Sequence, residues 1–83
     1  MTKTEAFEKI KTIVKPYVKN QAAFDTATDE TSFLKDLQIN SARLVDIILD
    51  METVFDMVVT DEEADTIRTL GTAADLVVSK SGV

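Results

Sequence analysis

Ser41 is the side chain in this sequence best placed to begin a chemistry. It lies where Asp36-Leu37-Gln38-Ile39-Asn40 passes into a run with Leu44, Ile47, Ile48 and Met51 at helical spacing. A hydroxyl at a helix start stands beside unpaired amides and the positive end of the helix dipole, a favourable anchor for a phosphodiester. The same position also suits plain capping, and either Asn40 or Ser41 can fill that role. Other chemistries fail on residue type. With no Cys and no His, the chain lacks nucleophilic triads, imidazole or thiolate metal sites and any thiol of its own. There is no Gly-rich phosphate cradle. A calcium loop beginning at Asp25 fails because Ala27 takes a ligand position, Glu30 stands where Gly is needed and Asp36 replaces the closing Glu.

The carboxylates have simpler explanations than acid-base catalysis. Asp61, Glu62 and Glu63 follow Thr60 at a second helix start, where each offsets the dipole by about 0.3–1 kcal/mol. Asp46 and Asp50 stand four apart on one helix, where like charges cost about 0.2–0.5 kcal/mol. Arg43 is placed to relieve part of that cost. No apolar surround in sequence marks any of them for a shifted pKa, so a solvated helix face accounts for them.

Four helical segments position these groups. The first opens with Thr2 and Glu5 as a capping box and carries Ala6, Phe7, Ile10, Ile13, Val14 and Tyr17 on its apolar face. Pro16 predicts a stop or kink near Lys15. From Asn20 to Ile39 the chain is polar and Thr-rich, which predicts a long loop folded back through Phe24, Phe33, Leu34, Leu37 and Ile39, with a helical turn near residues 31–37. The second helix is predicted from an Asn40 cap to Phe55 or Asp56. Leu44, Ile47, Ile48, Met51, Val54 and Phe55 form its core face, Arg43, Asp46, Asp50 and Thr53 its polar face, and Ala42, Val45 and Leu49 a separate apolar strip. A short third helix follows Thr60, reaching Ile67 or Arg68. The fourth begins near Thr69, is weakened slightly by Gly71, and frays from Ser79 through Val83. The expected fold is all-α: a small four-helix bundle with three longer helices, a short third, and a long loop between the first and second.

Length and charge agree with that reading. A chain of 83 residues is expected to form a single domain spanning 1–83, and one this small buries only about 60–65% of its unfolded surface. Hydrophobic content of 45% with two Gly and one Pro favours a packed helical core. Fifteen acidic against nine basic residues, net −6, argues against nucleic acid and for basic protein surfaces as partners. The N-terminus has no signal pattern and no apolar run nears the ~20 residues of a membrane span, so a monomeric cytoplasmic protein is expected.

Taken in order, these pieces resemble the acyl carrier proteins. Ser32-Phe33-Leu34-Lys35-Asp36-Leu37 is similar to the family's segment before its modified serine, and Ser41 falls at the serine of its Asp-Ser-Leu motif. Asp46, Leu49, Met51, Glu52, Phe55 and Asp56 match its second helix, Thr60-Asp61-Glu62-Glu63-Ala64 its acidic third, and Thr69-Leu70 with Ala73-Ala74 the opening of its fourth. The resemblance extends from the first helix to Val78. It implies a carrier, not an enzyme, with Ser41 bearing a 4′-phosphopantetheine arm attached by a phosphopantetheinyl transferase and holding acyl thioesters for fatty-acid or specialised lipid or secondary-metabolite biosynthesis. It also implies partner enzymes with basic docking surfaces, meeting Asn40, Ala42, Arg43, Val45, Asp46, Leu49, Asp50 and Glu52. Ile48, Met51, Ile67 and Leu70 are core residues that could also wall an acyl pocket.

Three positions depart from the motif. Asn40 replaces Asp and removes a charge, Ala42 replaces Leu and removes apolar contact, and Arg43 stands where an acidic residue is typical. Such changes suit a specialised carrier, since a partner built for the usual pattern meets a repelling charge. An aminoacyl or polyketide carrier shares the same arm and bundle. An acidic helical interaction module, with Ser41 only a cap, is the reading from a different class.

Overall fold

The structure is a computed structural model and describes residues 2–80. Helix α1 spans Lys3–Val14 and is followed by a 3-10 turn, Lys15–Tyr17; α2 spans Gln21–Asp25, α3 Ser41–Val54, α4 Asp61–Ala64 and α5 Leu70–Lys80. Three of these helices are long, as expected, and α1 lies along α5 and against α3. The expected fraying at residues 81–83 lies outside the described residues, whereas Ser79 and Lys80 are helical.

Local signals account for most boundaries. Thr2 and Glu5 close a capping box on α1, and Thr60 and Glu63 close a second on α4. Pro16 converts the end of α1 into the 3-10 turn, because its missing N–H is tolerated only in a first turn. α3 ends through Asp56 at φ 50°, with the Met57 N–H donated back to the Glu52 carbonyl at 3.0 Å, a Schellman closure built on Asp in place of Gly.

Two expected elements need correction. The connection from Asn20 to Ile39 holds a helix, α2, capped by the Asn20 side chain accepting from the Ala23 N–H and anchored by buried Phe24. Helix α4 stops at Ala64 instead of reaching Ile67, since the Thr66 and Ile67 amides turn back to the Glu63 and Ala64 carbonyls at 3.0 and 3.1 Å. Ile67 thereby drops into the core, 2% exposed.

Buried side chains from every long element meet in one cluster: Ala6, Ile10 and Val14 of α1, Ile47 and Met51 of α3, Leu70, Ala73, Ala74 and Val77 of α5, and Phe33, Leu37 and Ile39 of the connection. Val54 was expected on this face but is 55% exposed, because it is the last residue of α3 and the chain reverses beside it.

The connection is strapped to the start of α5. Gly71 donates its N–H to the Asp29 carbonyl at 2.8 Å, Leu70 to Thr31 at 3.0 Å, and Phe33 to Arg68 at 3.1 Å, around an isolated bridge between Ser32 and Thr69. A Cβ on Gly71 would lie 2.7 Å from the Asp29 carbonyl oxygen, so glycine is needed there for close approach. Further ties come from Lys3, which reaches Asp29 and Asp75 at 3.2 and 3.1 Å, and from Lys80, which meets Glu63 at 2.8 Å.

Gly71→Ala should lower stability by about 1–3 kcal/mol, because the clash is with backbone and not with a side chain that can swing away. A urea midpoint equal to the parent's would show that the strap yields freely. A second expectation concerns acid. The Lys80 ammonium, with the Thr60 amide, holds the Glu63 carboxyl below its ordinary value of 4.5. A lowered folded-state value means the contribution is complete above about pH 4.5 and lost as pH falls through the lowered value. Glu63→Gln keeps a capping residue while removing the charge. The melting-temperature gap between parent and variant should therefore be constant at neutral pH and close on acidification; a gap independent of pH refutes the assignment.

Candidate functional site

The start of α3 is set from both sides. Upstream, the Ile39 side chain is buried and its N–H reaches the Phe33 carbonyl at 3.0 Å, while the Leu37 carbonyl accepts from Lys19 and Asn20 at 3.2 and 3.3 Å. Between them Gln38 adopts φ 57°, a left-handed turn that brings Asn40 to the helix start. Downstream, the Asn40 side chain accepts from the Arg43 N–H at 2.9 Å and its carbonyl from the Leu44 N–H at 3.0 Å.

Asn40 is thus the cap, and Ser41 is released from that duty. Ser41 is exposed, and its hydroxyl makes no hydrogen bond among the described residues. The Ser41 and Ala42 amides likewise have no acceptor among them, as expected for the first turn of a helix. An accessible hydroxyl beside free amides fits an esterified phosphate: the anion gains both the amide donors and the dipole.

The polar residues expected on α3 are mostly engaged with their neighbours. Arg43 pairs with Asp46 at 2.9 Å, and Asp50 accepts from the Tyr17 hydroxyl at 2.9 Å, joining the 3-10 turn to α3. That hydrogen bond, with some burial, raises the Tyr17 pKa above its ordinary value. Glu52 accepts from the Val59 N–H at 3.0 Å and so braces the chain after α3. Ala42, Val45 and Leu49 are exposed, the last two by 57% and 55%, so this strip does not pack on a neighbouring helix.

One turn along α3 from Ser41, Leu44 lines a groove of about 430 Å³. The rest of its lining is Ser32, Leu34 and Lys35 of the connection, Arg68 and Thr69 at the start of α5, and Ala64, Asp65 and Ile67 at the end of α4 and just after it. Of the four residues expected to wall a pocket, Ile67 alone lines this groove; Met51 and Leu70 are fully buried core, and Ile48 packs half-buried against it. Leu34, Lys35, Leu44 and Arg68 were not among the expected pocket residues, and Leu34, expected to fold back onto the core, is instead 48% exposed.

No protein-family model matches the chain. Curated relatives do. It is 34% identical over 82 residues to the acyl carrier protein of Lactobacillus acidophilus, covering 99% of this chain and 100% of that one. It is 35% identical to that of Petrotoga mobilis over 83 residues, covering 100% and 95%. The chain belongs to the acyl carrier proteins. A solved acyl carrier protein from Enterococcus faecalis, 30% identical, superposes with a TM-score of 0.77 over 95% of this chain and 98% of the other. Acyl carrier proteins are carriers and not enzymes, and as a family they use a phosphopantetheine group and meet transferases and synthases. This one has a variant Asn40-Ser41-Ala42 motif. No helix among its described residues is long and apolar enough to cross a membrane.

Since Asn40 caps and Ser41 does not, truncating each should have opposite consequences for the fold. Asn40→Ala should cost about 1 kcal/mol, whereas Ser41→Ala should stay within about 0.5 kcal/mol of the parent. Equal losses in chemical denaturation would show that the Ser41 hydroxyl shares the capping.

Proposed function

We propose that Ser41 carries a 4′-phosphopantetheine arm and that the chain, acting as one carrier domain, delivers acyl cargo to the enzymes of a fatty-acid or specialised lipid or secondary-metabolite pathway. The observation that carries this reading is the Ser41 hydroxyl, exposed and without a partner among the described residues, at a helix start where Asn40 already supplies the cap. When bound, the group supplies the thiol that this cysteine-free chain lacks. The chain's own residues do the rest. Ser41 would offer the oxygen to be esterified, the Ser41 and Ala42 amides would be free to donate to the phosphate, and Asn40 holds the turn in place.

Recognition falls to the exposed strip of Ala42, Val45 and Leu49, flanked by Asp46, Asp50 and Glu52. Arg43 modifies that surface. Its ion pair with Asp46 cancels one of the acidic charges next to the attachment point, so docking there leans more on apolar contact than on attraction to a basic patch. With Ala42 small and Arg43 cationic, the partner enzymes, including the phosphopantetheinyl transferase, are ones shaped to this variant surface. Asn40 already fills the capping role, which supports Ser41 as an attachment point over Ser41 as a structural cap.

Incubation with coenzyme A, magnesium and a broad-specificity phosphopantetheinyl transferase, followed by intact mass measurement, is the direct test. One phosphopantetheine increment is expected on the parent and none on Ser41→Ala. Absence of the increment with several transferases, including one from a pathway using variant motifs, overturns the proposal.

A further inference from the structure

We propose that the groove beside Ser41 selects a short cargo whose far end bears an anionic group, held by Lys35 and Arg68. This rests on the carrier reading of Ser41 and adds the class of cargo. Three observations lead to it. The groove begins at Leu44, one helical turn from Ser41, so it lies within reach of anything Ser41 carries. Its volume of about 430 Å³ is toward the small end of the ~300–1,000 Å³ typical of ligand pockets, which favours a short chain. Its lining joins apolar walls, Leu34, Leu44 and Ile67, to two cations, Lys35 and Arg68.

Those cations are the informative part. Neither forms an ion pair among the described residues, and Asp65, the one acid on the same lining, is joined to neither. In a chain of net charge −6, a locally positive groove runs against the whole. Both cations also spring from fixed backbone. The Lys35 N–H donates to the Ser32 hydroxyl at 3.1 Å; the Arg68 N–H donates to the Thr72 hydroxyl at 3.0 Å, and its carbonyl accepts from Phe33. A purely aliphatic chain leaves two such charges unused at the rim. A cargo ending in a carboxylate uses both, since a guanidinium takes a carboxylate by two parallel hydrogen bonds and an ammonium adds a point charge.

The test compares two cargoes of equal length, hexanoyl and adipoyl, each loaded on Ser41 from its coenzyme A derivative and confirmed by intact mass. Cleavage of each thioester by hydroxylamine is then timed, normalised to the same cargo on free pantetheine. The adipoyl cargo should be protected about threefold more than hexanoyl at low salt, the scale of two exposed ion pairs, and the difference should shrink as salt is added. The Lys35→Gln and Arg68→Gln double variant should abolish the difference by bringing adipoyl protection down to the hexanoyl level. Both side chains are exposed, so the variant should fold, which its melting curve checks. Equal protection of the two cargoes on the parent overturns the inference alone. So does a double variant that loses protection for both cargoes alike, because the cations would then act on the arm. A chain that takes up no arm overturns the carrier reading and this inference with it.

Discussion

The backbone strap between residues 29–33 and 68–71 is the constraint from which the rest of this structure follows. Its hydrogen bonds tie the long connection to the start of α5, and their length depends on Gly71 letting the Asp29 carbonyl come close. With the strap in place Phe33 is driven into the core, and Leu37 and Ile39 follow it because the Leu37 and Ile39 amides return to Ser32 and Phe33. That sequence of burials decides where α3 begins. The exposure of Ser41 is therefore a consequence of contacts made far from it, and a groove appears where the strapped wall faces the turn between α4 and α5.

Charge is distributed in a way that composition alone conceals. The net charge of −6 suggests an acidic docking surface along α3, yet Asp46 is paired with Arg43, Asp50 is held by Tyr17, and Glu52 is turned inward to Val59. Each of these contacts has a structural purpose as well. The Tyr17 to Asp50 bond ties the 3-10 turn to α3, and the Glu52 to Val59 bond braces the chain leaving the helix. What α3 presents openly near its start is an apolar strip, with the paired Arg43 beside it. Of the three, only Asp46 meets a compensating charge; Asp50 and Glu52 bond neutral donors and keep theirs.

The parts of the fold legible in the sequence are those set by neighbours a few residues apart. The two capping boxes, the Asn40 cap and the break at Pro16 are all local chemistry, and each holds in the structure. Helix α2 escaped because five residues give too short a window for periodicity, and its one anchor, Phe24, reads equally well as a loop residue tucked inward. The end of α4 was overrun because Ala64 and Ile67 keep helical spacing, and spacing does not show the turn at Thr66 and Ile67 that ends the helix and carries Ile67 into the core. Gly71 shows the same limit. In sequence it is a weak helix residue, and only the presence of Asp29 beside it reveals why nothing larger fits. Asn40 and Ser41 both suit the start of α3 in sequence, and it is side-chain geometry, which spacing does not encode, that keeps the Ser41 hydroxyl out of the cap.

The groove has unequal walls, and they differ in how firmly they are tied. On one side Ser32, Arg68 and Thr69 belong to the strap, fixed by several backbone hydrogen bonds and by the Thr69 and Thr72 hydroxyl network. On the other, Ala64 and Asp65 end a single-turn helix whose ties are its capping box and the Glu63 to Lys80 ion pair. Local opening draws on the least stabilised segment, so widening this groove costs least on the α4 side. The strapped wall then keeps Arg68 at a constant position while the opposite wall adapts. The two sides of the groove are in this way held by different contacts, the strap on one and the capping box with the Glu63 to Lys80 pair on the other.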